Sequence, residues 1–430
     1  MNFNISLCII ILIYTNFKYY FHGVIILYTA FIASEYNPFH NGHKYLIDKT
    51  KAAGFDSVVA VMSGNFVQRG EPAVADKFFR AEAAVLGGAD LVIELPLKYA
   101  VSTASYFAKG FVDTVNATGM SGAISFGASA ETDELLKIKE IIFSEKCLDY
   151  TEKKIADGLS NPVAKFQFLK ENYPDTDCRL LNDANNILAL EYINAIDKSE
   201  SALKLFSVKR IGASHDSDVT TGEYSSAGYI RRKISEASSF DAVRMFMPND
   251  VFDLYKEGYN DGSLPVDMKA FDVASFSRLI SFDAEYFRNI NNVTGGIEYR
   301  IEDAIKKSND LSVLYDNIKS RHYTHSRIRQ IILSAVLGIK KSDLDRGVSY
   351  IRVLAFNDKG REILHQMKKS ANIPVISNLS KVNETNSESI IADAKLDYNA
   401  GKLYNLLLPS QRFLNPEYDN HPVYVKNSST

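Results

Sequence analysis

The feature that most constrains the fold is an alternation of short apolar runs with helical segments along the first half of the chain. The run Ser57–Met62 (SVVAVM) is short and rich in β-branched residues, so it predicts a buried strand. Two further runs, Ala89–Leu95 and Gly122–Gly127, also predict strands, and helical segments separate all three. The strands recur about every 30 residues, a spacing typical of strand–helix–strand crossovers. We therefore predict an α/β fold with a parallel sheet.

The loops that follow these strands are the expected place for a functional site. Ligands of such sheets bind beyond the carboxyl ends of the strands. Three segments fall at such ends, namely Asn37–His43, Ser63–Gly70 and Gly127–Ser129.

The second half of the chain has a different character. A strand is predicted at Ala202–Ile211, and the sheet domain is expected to end near residue 240. Residues 245–345 look mostly helical, and residues 349–377 predict a strand, a turn, a helix and a strand, which would form a small α/β unit. We therefore expect an extension over residues 1–26, a sheet domain over 27–240 and a second region over 241–430.

Composition excludes several classes of protein. The 430 residues carry 49 Lys and Arg against 52 Asp and Glu, and 46% of them are apolar. These values are ordinary for a globular protein and exclude dominant disorder and a histone-like polybasic binder, although a local basic patch remains compatible with them. The three cysteines, Cys8, Cys147 and Cys178, are far apart and form no C-x-x-C pair. A disulfide framework and a structural zinc site are therefore not expected. We expect the protein to be in a reducing compartment.

The strongest candidate for chemistry is the segment Glu35–His43 (EYNPFHNGH). A predicted strand leads into this turn, and a helix is expected to begin near Asn41, with His40 and His43 on either side of its start. Gly42 would let another group approach the backbone closely. A helix N-terminus attracts anions, and two imidazole donors beside it could hold phosphates and stabilise charge on a pentacoordinate phosphorus. The alternative is a surface or metal-binding pair, but no companion zinc motif is present.

This pattern resembles that of the nucleotidyltransferase superfamily, whose members bind a nucleoside triphosphate at an H-x-G-H turn. The second signature of that superfamily, a Ser/Thr-rich turn before an Ile-Arg helix start, is matched by Ser225–Arg231 (SSAGYIR). The resemblance implies that Ser225, Ser226 and Arg231 hold the β and γ phosphates. The chain departs from the pattern at Ala227-Gly228, where a Thr is more usual.

A closer resemblance runs through longer strings. The segments SEYNPFHNGHKYLI, AVMSGNFVQRGEPA, DKFFRAEAA, GADLVIELP, NNILALEY and YTHSRIRQIILSAVLGI are similar to those of the tRNA(Met) cytidine acetate ligase family over about residues 27–410. The resemblance implies a Rossmann-like nucleotidyltransferase domain in a cytoplasmic enzyme without stable membrane association. It also implies that acetate and ATP give acetyl-adenylate and pyrophosphate, and that the acetyl group then moves to N4 of the wobble cytidine of elongator tRNA(Met), giving N4-acetylcytidine.

The same resemblance assigns a nucleotide site by position. His40 and His43 are the expected catalytic residues, placed at the α-phosphate and the leaving pyrophosphate. The expected ATP-binding stretch is Ala33, Ser34, Glu35, Tyr36, Asn37, Pro38, Phe39, His40, Asn41, Gly42, His43, Lys44, Tyr45 and Leu46. Gly127, where a side chain would crowd the nucleotide, Arg210, and either Asn185 or Asn186 complete this site. Mg²⁺ is expected on the phosphates, although no acidic motif identifies its ligands.

Two further groups of residues have expected roles. Asn65, Gln68 and Arg69 follow the second strand and would line the acetate pocket. Lys77 and Arg80 are weaker candidates, and we expect Lys77 to be a solvated surface residue.

The tRNA-binding surface is expected in segment 319–341, which contains no Asp or Glu. Its basic residues are Lys319, Arg321, Arg327, Arg329, Lys340 and Lys341, with His322, Tyr323 and His325 interleaved. Arg231-Arg232-Lys233 could extend this basic patch towards the nucleotide site. The alternative is a solvated helix face, against which the absence of acids argues.

Two other functions stay open on the sequence alone. One is a small-molecule adenylyl- or cytidylyltransferase of the same fold, and the other is a non-catalytic protein that binds RNA or nucleotides. Exchange of pyrophosphate into ATP that depends on acetate and needs no tRNA is expected only of the ligase.

The N-terminal segment has no role in this fold. The apolar run Ile5–Tyr14 is too short to cross a bilayer, and the segment lacks the basic region and cleavage site of a signal peptide. Because the resemblance begins at about Leu27, we expect translation to start there, at a UUG codon, with Met1–Ile26 an annotation artefact. The alternative is a hydrophobic extension that packs on the domain or touches a membrane.

Overall fold

The computed structural model describes residues 19–21, 24–26, 28–211, 220, 222–236, 239–320, 322–410 and 415–426. The expected start at Leu27 and most of the N-terminal extension lie outside these residues, as does Arg321. None of the described helices is both long and apolar enough to cross a membrane.

The strands, in chain order, are β1 (Tyr19–Phe21), β2 (Val24–Ile26), β3 (Thr29–Ser34), β4 (Ser57–Ser63), β5 (Phe66–Val67), β6 (Glu71–Pro72), β7 (Leu91–Leu95), β8 (Gly122–Ala128), β9 (Lys204–Lys209), β10 (Ile351–Phe356), β11 (Val375–Ile376) and β12 (Val423–Tyr424). Four of the short strands form two antiparallel hairpins, β1 with β2 and β5 with β6.

The α-helices are α1 (Asn41–Ala52), α2 (Lys77–Leu86), α3 (Leu97–Ala100), α4 (Ala104–Ala117), α5 (Thr132–Ile142), α6 (Glu145–Ala156), α7 (Asn161–Asn172), α8 (Ala184–Lys198), α9 (Ala227–Glu236), α10 (Asn249–Asn260), α11 (Met268–Leu279), α12 (Ala284–Arg288), α13 (Ile297–Lys306), α14 (Leu311–Ile318), α15 (His325–Leu337), α16 (Lys341–Asp345), α17 (Asp358–Ser370), α18 (Glu388–Asn405) and α19 (Pro416–Asp419). Short 3₁₀ helices occupy Cys178–Asn182, Phe240–Phe246 and Leu379–Glu384.

The central sheet contains five parallel strands in the order β7-β4-β3-β8-β9. The chain builds outward from β3 through β4 to β7, and then returns to the other side of β3 with β8 and β9. The strand order therefore reverses between β3 and β8, and in open α/β sheets such a switch point opens a crevice at the carboxyl ends of the strands. The predicted α/β fold with a parallel sheet is confirmed.

Apolar side chains of the inner strands alternate between two layers. Phe31 and Val59 belong to one apolar cluster, which includes residues of α4, α5 and α8. Ile32 and Val58, their neighbours in sequence, belong to a second cluster on the opposite face, with residues of α2, α9 and α10. Successive side chains of a strand point to opposite faces, so strands covered on both sides have to be apolar throughout. This is why the sequence shows unbroken apolar runs.

The region 349–377 has the predicted strand, helix and strand, namely β10, α17 and β11. Its strands extend the central sheet rather than forming a separate one, because β10 pairs antiparallel with β7 and parallel with β11 and β12. The sheet thus draws strands from both sides of residue 240, where the sequence predicts a domain boundary.

Candidate active site

A pocket of about 260 Å³ opens at the carboxyl ends of β3 and β8, at the switch point of the sheet. It collects most of the predicted nucleotide and acetate residues. Those in its wall are Ala33, Ser34, Glu35, Tyr36, Asn37, His40, Gly42, His43, Tyr45, Leu46, Gln68, Arg69, Gly127, Asn185, Arg210, Ser225 and Ser226. The predicted residues outside the wall are Pro38, Phe39, Asn41, Lys44, Asn65, Asn186 and Arg231.

The two histidines hold the first turn of α1. His40 is the N-cap of the helix, and its Nδ1 accepts a hydrogen bond from the backbone N–H of Gly42 at 3.0 Å. The backbone N–H of His40 in turn donates to Nδ1 of His43 at 3.2 Å, and the two rings stack with centroids 3.7 Å apart. Because Nδ1 accepts in both rings, the hydrogen of each neutral imidazole is on Nε2. The N-terminus of α1 therefore carries two Nε2–H donors, next to backbone N–H groups that favour anions.

Neighbouring loops fix the turn before α1. The side-chain oxygen of Asn37 accepts from the backbone N–H of Val74 at 2.8 Å, and the Asn41 amide donates to the carbonyls of Glu223 and Met245, both at 3.0 Å. Arg231 donates to the carbonyl of Asn37 at 2.7 Å and pairs with Glu71 at 3.2 Å. Arg231 thus supports the turn from behind the pocket wall.

The second signature lies at the start of α9, against the pocket. Ser226 accepts from the backbone N–H of Tyr229 at 3.1 Å, as a residue at a helix start commonly does. The hydroxyl oxygen of Ser225 is buried and has no hydrogen-bond partner among the described residues. A buried hydroxyl of this kind beside a pocket is available to a ligand.

Gly127 lies inside β8 and lines the pocket together with Arg210. The family resemblance implies that a side chain here would crowd the nucleotide. A Cβ at this position would come within 3.2 Å of Cγ of Arg210, so the group that a side chain would displace is the arginine. Gly127 therefore allows Arg210 to lie across the end of the strand.

The structure separates the two adjacent asparagines that start α8. Asn185 is in the pocket wall, and its backbone and side-chain N–H groups donate to Asp183 at 2.8 and 3.0 Å. Asn186 is fully buried, and its side-chain oxygen accepts from the backbone N–H groups of Ser129 and Ala130 at 3.1 and 3.3 Å. Asn185 therefore faces the pocket, whereas Asn186 holds the loop after β8.

Nine residues of the pocket wall were not predicted from the sequence. They come from β3, α4, β8, α8, the end of β9 and the start of α9, and they are Ile32, Phe107, Phe126, Leu188, Tyr192, Val208, Lys209, Ile211 and Ala227. Helical spacing was a usable signal for two of them, because Leu188 and Tyr192 follow Asn185 at i+3 and i+7 and so share its face of the helix.

Not all of the predicted acetate-binding residues line the pocket. Gln68 and Arg69 line the pocket, on the loop between β5 and β6. Asn65 does not, because its side-chain oxygen accepts from the backbone N–H of Lys77 at 2.8 Å. The carboxylate of Glu35 lies beside Gln68 and accepts from its backbone N–H at 2.9 Å. Burial raises the pKa of Glu35, while the Gln68 N–H, Arg231 and Arg69 act in the opposite direction.

The expectation that Lys77 is a solvated surface residue is wrong. Its side chain is 3% exposed, and Nζ lies 2.8 Å from Glu94 and 2.7 Å from Glu417. Burial alone would lower the pKa of Lys77, but Glu417 and Glu94 raise it above the usual value. Arg80 is also fully buried and donates to the carbonyls of Glu35, Ser63, Gly64 and Ala75. Both residues support the pocket loops and neither lines the pocket.

The predicted tRNA segment forms α15 and the turn before it. Nine of the 13 residues of α15 are buried, and none of these nine is basic. The basic residues form two groups: Lys319 in the turn before α15 with Arg327 and Arg329 in its first turns, and Lys340 and Lys341 beyond its C-terminus.

The start of α15 packs on the pocket loop. Gly70 has a positive φ of +79°, and a Cβ there would lie 2.5 Å from the backbone of Arg329. The side chain of Gln330 donates to the carbonyl of Gln68 at 2.7 Å. The basic helix start and the pocket thus share one loop, because Gln68 and Arg69 of this loop line the pocket.

The fold and this site together define the class of the protein. A parallel sheet with a pocket at its switch point, and two imidazoles at the N-terminus of the first helix, form a site of the nucleotidyltransferase type. A family model described as HIGH Nucleotidyl Transferase matches residues 28–417.

Comparison with individual relatives identifies the family within this class. The tRNA(Met) cytidine acetate ligase of Acetivibrio thermocellus is 34% identical over 397 residues, which cover 88% of this chain and 95% of the relative. The ligase of the same name from Thermotoga maritima is 33% identical over 417 residues, covering 91% of this chain and 99% of the relative. The chain belongs to the tRNA(Met) cytidine acetate ligase family, so the resemblance found in the sequence is confirmed.

Solved structures agree over the whole fold. The crystal structure of Thermotoga maritima TmcAL bound with alpha-thio ATP has a TM-score of 0.86 to this chain at 30% identity. The apo structure has a TM-score of 0.87 at 31% identity. Each match covers 93% of this chain and 100% of the other.

Proposed function

We propose that this protein is an ATP-dependent ligase that acetylates N4 of the wobble cytidine of elongator tRNA(Met) through acetyl-adenylate. The observation that carries this proposal is the pair of Nε2–H donors at the start of α1, inside a pocket at the switch point of the sheet. The names of the relatives supply the acceptor, and the alpha-thio ATP bound by the TmcAL structure supports the nucleotide.

In the first step a carboxylate oxygen of acetate attacks the α-phosphorus of ATP, and pyrophosphate leaves. Both reactants are anions, so the site has to bring them together and stabilise the charge that develops on phosphorus. His40 and His43 supply two N–H donors for this charge, and the positive end of the α1 dipole favours the same anions. We assign the other phosphates to Arg210, Ser225 and Ser226, and acetate to Gln68 and Arg69, because all five residues line the pocket.

We further propose that Mg²⁺ accompanies the triphosphate, bound by phosphate oxygens and water. The described residues contain no group of three or more side chains suited to a metal ion. This fits an ion that usually keeps several waters and is bound through substrate phosphates. No step of the mechanism is assigned to it.

In the second step the exocyclic amine of cytidine attacks the acetyl carbon, and AMP leaves. A wobble base is in a single-stranded loop and can be turned out into a pocket. The half-buried start of α15 lies against the pocket loop, so Arg327 and Arg329, with Lys319 in the preceding turn, are candidates to bind phosphates of the anticodon arm.

The test is pyrophosphate exchange by the purified protein. Exchange of labelled pyrophosphate into ATP should require acetate and proceed without tRNA, and labelled acetate should appear in N4-acetylcytidine only when a tRNA(Met) transcript is added. Pyrophosphate exchange that does not depend on acetate and requires a different acceptor would favour an adenylyltransferase. Absence of any exchange, with ATP or RNA still bound, would favour a non-catalytic protein.

A further inference from the structure

The two half-reactions differ in their need for a base. Activation joins two anions and releases no proton. In the transfer step the C–N bond forms, the bond from carbon to the AMP oxygen breaks, and the amine nitrogen loses one proton as it becomes an amide. A group in the pocket therefore has to accept a proton in the second step alone.

The histidines are unsuited to this task in the state that the structure describes. Nδ1 of His40 and Nδ1 of His43 each accept a backbone N–H, so the other nitrogen of each ring carries hydrogen and is a donor. The tyrosines of the wall are poor acceptors as neutral phenols, and burial raises the pKa of Tyr36 and Tyr192 further. Among the described residues that line the pocket, Glu35 is the only carboxylate.

The position of Glu35 suits a role in transfer. It lies between the H-x-G-H turn and the loop that carries Gln68 and Arg69. One carboxylate oxygen accepts the backbone N–H of Gln68, and the carbonyl of Gln68 accepts from Gln330 on α15. One residue of the pocket loop thus links the carboxylate to the helix that we propose to contact tRNA.

We propose that Glu35 is the catalytic base that removes the proton from the cytidine amine during acetyl transfer. This inference rests on the proposed function. The proton passes from nitrogen to the carboxylate, and then to solvent after AMP and the acetylated tRNA leave.

The charged groups and the burial around Glu35 shift its pKa, as expected for a catalytic base. Arg69 and Glu71 face it from the hairpin loop and Arg231 from α9, and burial raises its pKa above the usual value of a glutamate. Arg80 of α2 donates to its backbone carbonyl, and Tyr192 of α8 shares the pocket. A raised pKa makes a carboxylate a stronger base when it is ionised.

The experiment compares Glu35→Gln with the unaltered enzyme in both half-reactions. Single-turnover transfer to tRNA should fall by about 10²- to 10⁴-fold, a larger loss than that of acetate-dependent pyrophosphate exchange. Glu35→Asp should recover part of the transfer rate. Glu82→Gln is the matched control, because Glu82 is also half-buried but lies outside the pocket, and both of its activities should be unchanged.

A pH profile separates proton transfer from positioning. Single-turnover transfer by the unaltered enzyme should decline at low pH as Glu35 becomes protonated, and pyrophosphate exchange should lack this limb. The limb should disappear in Glu35→Gln. Hydroxylamine, a stronger nucleophile that needs less help from a base, should form acetohydroxamate at similar rates with both enzymes. The profile of the unaltered enzyme decides the question even if the variant fails to fold.

Several outcomes would overturn the inference. Loss of exchange together with transfer in Glu35→Gln would make Glu35 a residue of ATP or acetate binding. Normal transfer by that variant, or a change confined to KM for tRNA, would exclude it as the base. If the unaltered enzyme shows no acetate-dependent exchange, the proposed function itself fails and the inference fails with it.

Discussion

At the scale of single residues, His40 and His43 hold the start of α1, and we propose that they also stabilise phosphate. Each uses Nδ1 to satisfy a backbone N–H at the start of α1, and this fixes Nε2 as the donor. A residue that only caps the helix would be replaceable by any good N-cap residue, whereas a residue that stabilises phosphate would not. The structure therefore offers a substitution that separates the two roles.

We predict that His40→Asn keeps the fold and loses activation. Asparagine is a good N-cap and replaces the Nδ1 acceptor, but it cannot replace the Nε2–H donor. Acetate-dependent pyrophosphate exchange should fall by about a hundredfold or more, while the free energy of unfolding stays within about 0.5 kcal/mol. His40→Ala should lose activity and also about 1 kcal/mol of stability.

His365→Asn is the matched control, because His365 is an exposed histidine of α17. Its exchange rate should equal that of the unaltered protein. Exchange near the normal rate in His40→Asn would show that the imidazole only caps the helix.

The sequence predicted these residues because a short motif fixes their local geometry. It could not decide between Asn185 and Asn186, since adjacent positions of a helix point about 100° apart and the phase depends on packing with β8. It also misjudged Lys77, because its partners Glu94 and Glu417 lie 17 and 340 residues away. Burial of a charge in a distant ion pair leaves no local pattern in the chain.

At the scale of elements, α15 joins the helical region to the active site. Most of the helix is buried, and its first two turns carry the half-buried arginines that we propose to bind tRNA. Arg327 is already held by the carbonyl of Asn292 at 3.3 Å and the hydroxyl of Thr294 at 3.0 Å, and its guanidinium lies 5.0 Å from the ring centre of Tyr323. An arginine fixed in this way loses little side-chain entropy when it meets a phosphate.

We predict that the double variant Arg327→Ala and Arg329→Ala spares acetate activation and weakens tRNA transfer. KM for tRNA should rise, and the dependence of log K on log salt should become shallower by roughly one unit for each phosphate that the variant no longer neutralises. Exchange and tRNA binding at several salt concentrations measure the two effects.

The matched control is Lys306→Ala with Lys307→Ala, which removes two charges from α13 and the residue after it, in the same helical region. This control should leave tRNA affinity less changed than the arginine pair does. An equal loss of activation and transfer in the arginine variant would mean that α15 supports the fold or the ATP site instead.

Short β-branched apolar runs predicted the inner strands, which are buried on both faces, and helical patterns predicted several helices of the sheet domain. The hairpin of β5 and β6 has strands of two residues each, too short for any period. The strand β10 was predicted, but not its place beside β7, since that pairing joins segments far apart in the chain, such as Val353 with Ile93. Strand partners at such separation are set by the completed fold.

At the scale of the whole molecule, a buried ionic cluster ties the C-terminal segments to the sheet. Lys77 and Arg352 face three carboxylates, Glu94, Glu417 and Asp397, drawn from β7, α19 and α18. Two cations therefore meet three acids in a poorly solvated space. A proton on one acid relieves this imbalance, since buried like charges disfavour full ionisation.

We expect Asp397 to be the acid that keeps the proton. Burial and the neighbouring carboxylate of Glu94 raise its pKa to about 8, although Lys77 acts in the opposite direction. The hydroxyl of Tyr350 also donates to Asp397. In the unfolded chain this carboxyl has a pKa of about 3.9. Between these two values the folded protein holds a proton that the unfolded chain has released, so stability falls as pH rises through this window.

We predict that Asp397→Asn flattens this dependence. Asparagine resembles the protonated acid in shape and stays neutral, so the variant should lose less stability than the unaltered protein as pH rises from about 5 to about 8. Its gain in Tm over the unaltered protein should be largest near the upper end of this range, by a few degrees, and smallest near the lower end. Thermal unfolding at several pH values measures this, with Asp175→Asn, an exposed aspartate after α7, as the control. Parallel curves of Tm against pH for the unaltered protein and Asp397→Asn would mean that the extra proton lies elsewhere in the cluster.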